Sequence, residues 1–133
     1  MNILIADKFP EAAVDQLIAE QHECLLRPEL GGDSLTAALA DVEVLVVRST
    51  QVTAEMMVSA ERLRLIVRAG SGTNTIDTLA AVKRDIAVCN VPGRNAAAVA
   101  ELAMGLLISI DRKIPDNVFS SRAGRWDKKS FSA

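Results

Sequence analysis

Short apolar runs alternate with amphipathic segments along the first two thirds of the chain. The runs are rich in Ile, Val and Leu, and most of them lack a strict alternation of apolar and polar positions. Strands that are buried on both faces have this pattern, as in a parallel sheet covered by helices. Five strands are predicted: Asn2–Ala6, Glu23–Arg27 (the weakest), Val42–Arg48, Leu63–Arg68 and Ile86–Asn90.

Helix candidates lie between these runs. The first follows Pro10, which suits a first helical position. The second can be capped by Asp33 or Ser34. The fourth is expected to start at Thr75, directly after a pair of glycines. Alternating strands and helices predict an α/β fold with a parallel sheet and right-handed crossovers. The predicted helices cover residues 10–20, 33–41, 53–61 and 75–84.

The last third of the chain has a different pattern. A long helix is predicted to run from "NAAAVAELAMGLLISIDRKI" to the stop at Pro115, with apolar positions nearly all round. Such a helix needs apolar cover on more than one side, and the polar remainder of the sequence hardly supplies it. We therefore predict a domain over residues 1–98 and a crossing helix with a connector over residues 99–133. We also expect the chain to associate with itself through the helix at Val99–Ile110.

Composition narrows the possible partners. The chain has 133 residues, of which 50% are hydrophobic, so it is long enough for one compact domain with a real core. Its net charge of -2 argues against binding to nucleic acid or to a membrane surface, because both need a positively charged protein surface. Cys24 and Cys89 lack metal or redox spacing and are expected to be buried thiols in a reducing compartment. We predict a soluble, cytoplasmic protein without a metal site, a signal peptide or a membrane span.

A glycine turn follows the fourth predicted strand, in the stretch "RAGSGTNTID". A strand, a glycine turn and a helix in this order can begin a dinucleotide-binding loop, although a tight turn without a ligand also favours glycine. The dinucleotide fingerprint needs a third small residue where Thr75 stands, and an acid where Asn90 ends the next strand. Both positions disfavour pyrophosphate binding after Gly70 and Gly72. Backbone N–H groups of residues 71–73, at the start of a helix, are instead predicted to hold a carboxylate.

Other polar residues are predicted at the same edge of the sheet. In open α/β sheets, ligands bind beyond the carboxyl ends of the strands. Arg48 and Ser49 follow the third strand, and Asn95 is the expected cap of the helix after the fifth. An arginine at a strand end is more often a solvated end or a structural ion pair than a ligand group. Its convergence with the glycine turn and Asn95 nevertheless favours a site for a small, doubly anionic molecule.

These residues carry a resemblance to a known family. The pieces "VRS", "RAGSGTNTID", "VPGRNAAAVAEL" and "GRW" occur in order, and the likeness runs from about Asn2 to Phe131. The chain resembles the D-isomer-specific 2-hydroxyacid dehydrogenases, which use NAD, and among them the members that act on a phosphorylated acid. The resemblance implies a flavodoxin-like or Rossmann-like three-layer sandwich with a five-stranded parallel sheet, followed by a long C-terminal inter-domain helix.

The resemblance also implies roles for individual residues. Arg48, with Ser49 beside it, would bind the substrate phosphate, which suits a planar guanidinium. The main chain at Ser71 and Gly72 would bind the substrate carboxylate, Ser71 would approach the nicotinamide end of the cofactor, and Asn95 would line the cleft. Residues 1–98 would then be the substrate-binding domain, and residues 99–133 would lead towards an NAD-binding domain.

No catalytic residue is assigned. The catalytic arginine, glutamate and histidine of the family, and its GxGxxG loop, have no counterpart in these 133 residues. The only histidine is His22, before the weak second strand, where we expect a solvated surface residue. The chain alone is therefore expected to bind a small 2-hydroxy or 2-oxo acid without oxidising it, and to bind NAD poorly.

Two other functions stay open at this point. A stand-alone small-carboxylate-binding or regulatory module of flavodoxin-like fold would fit the natural-looking length, but the uncovered helix from Val99 argues against it. A phospho-acceptor receiver domain would use Asp7, which ends the first strand. Its third strand should end in an acceptor aspartate, where this chain has Arg48, and its fifth in a lysine, where this chain has Asn90.

Overall fold

The computed structural model describes residues 1–131, which fall into two compact units: Met1–Arg94 and a second unit that begins at Asn95. Strands and helices alternate throughout the first unit. In chain order they are β1 Asn2–Ile5, α1 Glu11–Ala19, β2 Glu23–Leu26, α2 Gly32–Ala38, β3 Val44–Val47, α3 Ala54–Val58, β4 Leu65–Arg68, α4 Thr78–Lys83 and β5 Ala87–Asn90.

All five strands of the first unit form one parallel sheet in the order β2-β1-β3-β4-β5. Leu4 of β1 is in register with Leu25 of β2 on one side and with Leu45 of β3 on the other. The predicted α/β fold with a five-stranded parallel sheet is confirmed. The strand order reverses between β1 and β3, and crevices at such switch points are where open α/β sheets bind ligands.

Helices cover both faces of the sheet and give the predicted three layers. On one face, Leu35 of α2 and Met57 of α3 pack with Leu45 and Ile66 of the sheet, all of them fully buried. On the opposite face, α1 packs Val14 and Leu17 against a second set of strand side chains. That set is Ile3, Ile5, Val44 and Val46. Each buried aliphatic side chain contributes about 1.5–3 kcal/mol, so this aliphatic core stabilises a unit that has few aromatic residues.

Central and edge strands differ in burial. All four residues of β3 are buried, as predicted for a strand covered on both faces, whereas β2 and β5 alternate between exposed and half-buried positions. Each edge strand has a neighbour on one side only. Cys24 in β2 is half-buried and Cys89 in β5 is exposed, so the prediction of two buried thiols is wrong. Partial burial raises the pKa of the Cys24 thiol.

Helix α2 begins earlier than the sequence suggested. Its N-cap is Gly31, so neither Asp33 nor Ser34 is the cap. Ser34 instead lies inside the first turn, where its hydroxyl accepts the N–H of Gly31 at 3.2 Å and donates to the Gly31 carbonyl at 2.8 Å. A serine at the third helical position thus satisfies the backbone N–H of the N-cap residue, whereas a serine cap would accept the N–H of the second or third helical residue.

The second unit contains two α-helices, α5 Ala96–Asp111 and α6 Ile114–Arg122, and a short 3-10 helix, Lys129–Phe131. The prediction of one helix up to Pro115 is wrong. The helix is interrupted at Lys113, which has a left-handed φ of 48°. Pro115 lies in the first turn of α6, a position that proline favours.

Helix α5 buries none of its residues, although its sequence is strongly apolar. Leu102, Leu107 and Ile110 are 63%, 64% and 76% exposed. Over residues 1–131, each helix is too short or too polar to cross a membrane. The roles predicted for residues 1–98 and 99–133 stay predictions.

Candidate functional site at the carboxyl edge of the sheet

The turn after β3 is built around the carboxylate of Asp7, which follows β1. Oδ2 of Asp7 accepts the backbone N–H of Arg48 at 2.7 Å and those of Ser49 and Thr50 at 3.1 Å each. The Thr50 hydroxyl donates to the carbonyl of Ala6 at 3.1 Å and ties the same two chain segments together. Because β1 and β3 are neighbours in the sheet, one acid can hold the whole turn that carries Arg48.

These contacts set the ionisation of Asp7. Partial burial alone would raise the pKa of its carboxyl group. The backbone N–H groups of Arg48, Thr50 and Ser49 outweigh burial and hold the pKa of Asp7 below its ordinary value. Hydrogen bonds to the charged form favour that form. Asp7 is therefore ionised at neutral pH.

A second side chain, that of Arg68 at the end of β4, connects the turn after β3 with the glycine turn. Its Nε donates to the carbonyl of Arg48 at 3.2 Å, and its Nη1 donates to the carbonyl of Gly72 at 2.7 Å. One planar guanidinium therefore holds both loops, a role for which the fixed geometry of its donors is well suited. Arg48 and Gly72, predicted from the sequence to bind one ligand, are brought together by this residue.

The glycines make room for that guanidinium. A Cβ atom on Gly70 would lie 3.1 Å from Nη1 of Arg68, and one on Gly72 would lie 3.5 Å from the same atom and 3.2 Å from Oδ1 of Asn74. Neither glycine has a positive φ. The positions therefore require glycine for space and not for a left-handed backbone.

Helix α4 does not begin at the glycine turn. It starts at Thr78, and its cap is Asp77, whose side chain accepts the N–H of Ala80 at 2.9 Å. Before that, the chain pairs with Val52, which donates to the carbonyl of Thr75 at 2.8 Å and accepts from the N–H of Asp77 at 3.0 Å. Extended pairing at 75–77 excludes helix there. The prediction that residues 71–73 form a helix N-terminus is therefore wrong, and no helix dipole contributes at the turn.

The turn is held from the neighbouring strand instead. The side-chain amide of Asn90, at the end of β5, donates to the carbonyl of Ser71 at 2.7 Å, and the N–H of Val91 donates to the carbonyl of Gly70 at 3.0 Å. Residues 70–72 thus have all their carbonyls occupied, by Val91, Asn90 and Arg68. Because these carbonyls already accept hydrogen bonds within the protein, a ligand at this turn would have to bind its backbone N–H groups.

On these two loops, the donors without an acceptor within residues 1–131 include the exposed guanidinium of Arg48 and the backbone N–H groups of Gly72 and Thr73. The exposed hydroxyl of Ser49 lies in the turn that Asp7 holds. The Arg48 guanidinium and the backbone N–H groups of Gly72 and Thr73 lie on two loops that Arg68 joins. Together they can bind a molecule with two anionic groups.

The remaining predicted residues are placed as follows. Ser71 is half-buried within the glycine turn. Asn95 is the N-cap of α5, as predicted, but its side chain makes no capping hydrogen bond and it is the first residue of the second unit. Its assignment to the cleft stays a prediction. His22 is half-buried before β2, and its expected role as a surface residue stays a prediction.

Comparison with known proteins identifies the family. The sequence profile for "D-isomer specific 2-hydroxyacid dehydrogenase, catalytic domain" matches residues 3–128. The chain belongs to the D-isomer specific 2-hydroxyacid dehydrogenases. These dehydrogenases are oxidoreductases of small 2-hydroxy or 2-oxo acids that use NAD(P).

Three relatives illustrate the similarity to other 2-hydroxyacid dehydrogenases. D-3-phosphoglycerate dehydrogenase of Methanocaldococcus jannaschii is 39% identical over 132 residues, and hydroxypyruvate reductase of Thermotoga maritima is 41% identical over 131. The chain is covered to 98% in both alignments, yet it spans only 25% and 43% of those two proteins. The NAD+-bound structure of 3-phosphoglycerate dehydrogenase from Entamoeba histolytica matches 82% of this chain and 38% of its own, with a TM-score of 0.69 and 32% identity.

Proposed function

We propose that this chain is the substrate-binding part of an NAD-dependent D-2-hydroxyacid dehydrogenase whose substrate is 3-phosphoglycerate. The reaction would be its oxidation to 3-phosphohydroxypyruvate, the first step of L-serine biosynthesis, in the cytoplasm. The observation that carries the proposal is that Arg68 bonds the carbonyls of both Arg48 and Gly72. The two loops with unpaired donors are thereby held side by side at the carboxyl edge of the sheet. The names of the relatives from M. jannaschii and E. histolytica support the choice of substrate.

Each end of the substrate has a complementary group. The guanidinium of Arg48 binds the phosphate through two parallel hydrogen bonds, and the hydroxyl of Ser49 is close enough in the chain to add a third. The N–H groups of Gly72 and Thr73 bind the carboxylate. Ser71, between the two glycines, lies next to the carbon that is oxidised and approaches the nicotinamide. Asn95 lines the cleft of the complete enzyme.

NAD supplies the hydride acceptor in the complete enzyme, and binding is the part that this chain performs. The 133 residues contain no GxGxxG loop, and the turn that begins "GSG" has its carbonyls tied to Arg68, Asn90 and Val91. With His22 as the only histidine, no acid–base pair for the alcohol proton can be assembled at the carboxyl edge of the sheet. The isolated chain is therefore inactive and binds NAD weakly.

Titration calorimetry with 3-phosphoglycerate tests the proposal. The purified chain should bind it, and Arg48→Ala should weaken binding by about 10- to 100-fold, since a charge-assisted bond is worth about 1.5–3 kcal/mol. Arg62→Ala is the matched control, because Arg62 is also an exposed arginine but lies at the opposite end of the sheet, paired with Asp41 at 3.8 Å. The affinity of Arg62→Ala for 3-phosphoglycerate should equal that of the wild type.

Two results would contradict the proposal. Equal heats for the wild type and Arg48→Ala would remove Arg48 from the site. Formation of NADH from NAD and 3-phosphoglycerate by the purified chain would contradict its inactivity. A control titration with D-glycerate, which lacks the phosphate, should give the same weak affinity for the wild type and for Arg48→Ala.

A further inference from the structure

We infer that Asp7 is a positioning residue for anion binding: its carboxylate fixes the turn that holds Arg48 at the carboxyl edge of the sheet. The inference deepens the proposed function and rests on it for the identity of the substrate. The geometry of Asp7 and Arg48 stands without it. Asp7 itself does not touch the ligand; it acts through the backbone of residues 48–50.

Asp7 occupies a place that an anion would otherwise take. Consecutive backbone N–H groups that converge on one point form a concave anion site. Those of Arg48, Ser49 and Thr50 converge on Oδ2 of Asp7, at 2.7, 3.1 and 3.1 Å. Because the protein's own carboxylate fills this site, an incoming phosphate cannot use these backbone donors. It must be bound by the Arg48 side chain.

The backbone of Arg48 is held on both sides of its Cα atom. Its N–H donates to Asp7, and its carbonyl accepts Nε of Arg68 at 3.2 Å. The exposed side chain then keeps only its own torsional freedom. A binding group on a fixed backbone loses less entropy when the ligand arrives, which increases affinity.

An electrostatic role and a positioning role of Asp7 predict opposite effects of Asp7→Asn on anion binding. The carboxylate of Asp7 is a negative charge near the proposed phosphate, so a purely electrostatic role predicts that Asp7→Asn strengthens anion binding. A positioning role predicts weaker binding, because the neutral amide oxygen of asparagine accepts the three N–H donors less strongly than the carboxylate oxygen does, so the turn is held less firmly. The sign of the change therefore separates the two roles.

The test is a double-mutant cycle on the purified 133-residue chain at constant neutral pH. Wild type, Asp7→Asn, Arg48→Ala and the double variant are titrated with inorganic phosphate, 3-phosphoglycerate and D-glycerate, and binding is followed by backbone amide NMR. Asp7→Asn should weaken the two phosphate-containing ligands by about tenfold, as expected for a coupled pair, and D-glycerate by less than about twofold. In the Arg48→Ala background, Asp7→Asn should change none of the three affinities by more than about twofold.

A second variant covers the case in which Asp7→Asn does not fold. Asp7→Glu keeps the charge but moves the carboxylate outward by one methylene, so it should also weaken phosphate binding. Its amide spectrum away from residues 48–50 should match that of the wild type. Unchanged or stronger phosphate binding in the folded variant would overturn the inference. So would an equal loss in the Arg48→Ala background, since that loss would not pass through Arg48.

The outcomes also separate this inference from the proposed function. If the wild type binds 3-phosphoglycerate no better than inorganic phosphate while Asp7→Asn weakens both, the choice of substrate fails and the inference holds. If 3-phosphoglycerate binds through Arg48 and Asp7→Asn has no effect, the inference fails and the proposed function holds. Absence of binding of all three ligands to the wild type would overturn both.

Discussion

The guanidinium of Arg68 lies directly against Gly70, where a Cβ atom would come within 3.1 Å of Nη1 and 3.3 Å of Cζ. From this position Arg68 bonds the carbonyls of Arg48 and Gly72. The glycine turn is therefore shaped by a side chain of its own strand, and the space that the glycines leave open is filled by the protein.

Substitution of Gly70 should displace Arg68. We expect Gly70→Ala to lower the free energy of unfolding by about 1–3 kcal/mol, the usual cost of overpacking, because the guanidinium cannot move away without loss of its two bonds. Gly72→Ala is the matched comparison and should cost less, since its closest neighbour is the flexible side chain of Asn74. Urea denaturation of both variants measures the difference, and an equal cost would contradict this explanation of the glycines.

Removal of the Arg68 side chain should separate the two loops. Arg68→Ala loses both guanidinium bonds, and we expect the free energy of unfolding to fall by about 2 kcal/mol. Arg68→Lys should be intermediate, because one ammonium group cannot keep the geometry of two guanidinium donors. The control is Arg64→Ala, just before β4, whose exposed side chain makes no hydrogen bond or ion pair within residues 1–131. It should stay within about 0.5 kcal/mol of the wild type in urea denaturation.

The stability that Asp7 provides should depend on pH. Its pKa is lowered in the folded state, so the contribution is complete above the unfolded pKa of about 3.9 and is lost as pH falls through the folded pKa. We expect the wild type to be more stable than Asp7→Asn at pH 6, with a difference that shrinks between about pH 5 and pH 2. Glu43, Glu55 and Asp127 also have lowered pKa values, but they are present in both proteins and cancel. A difference independent of pH would show that the Asp7 charge does not stabilise the turn.

Helix α5 should cause self-association, which we propose from its exposed apolar surface. Leu102 and Leu107 are 63% and 64% exposed, so the purified chain should form concentration-dependent oligomers in sedimentation velocity. The pair Leu102→Glu and Leu107→Glu should shift it towards the monomer. Val82→Glu is the matched control, since Val82 is 72% exposed but lies on α4. A wild-type monomer at all concentrations, or an equal effect of Val82→Glu, would remove this role from α5.

The fold could be predicted from the sequence because its signals are local. Each buried strand is a short run of aliphatic residues, and each intervening helix has an amphipathic pattern, so the element order follows from periodicity alone. The order of the strands in the sheet depends on contacts between distant segments, and periodicity does not contain it. The helix ends were less predictable for the same reason: the pairing of Val52 with Thr75–Asp77 delays α4 until Thr78.

The candidate site was only partly visible in the sequence. Arg48 could be named because it ends a predicted strand, and Gly72 because it lies in the glycine turn that follows one. Asp7 also ends a strand, but its partnership with residues 48–50 depends on β1 lying beside β3, 41 positions away in the chain. Arg68 gave no separate signal, because nothing in "VRAGSG" shows that the arginine folds back under the glycines. Knowledge of the strand order would have pointed to Asp7, whereas the role of Arg68 became visible only in the three-dimensional structure.

The central claim is that the carboxyl edge of the sheet binds a phosphorylated 2-hydroxy acid between the Arg48 turn and the glycine turn. Backbone amide NMR of the ¹⁵N-labelled chain, titrated with 3-phosphoglycerate and separately with NAD, tests it most directly. We predict that 3-phosphoglycerate shifts the amide signals of Arg48, Gly72 and Thr73 first and most strongly, and that NAD leaves them unchanged. Shifts confined to other parts of the chain, or a response of the glycine turn to NAD alone, would contradict the claim.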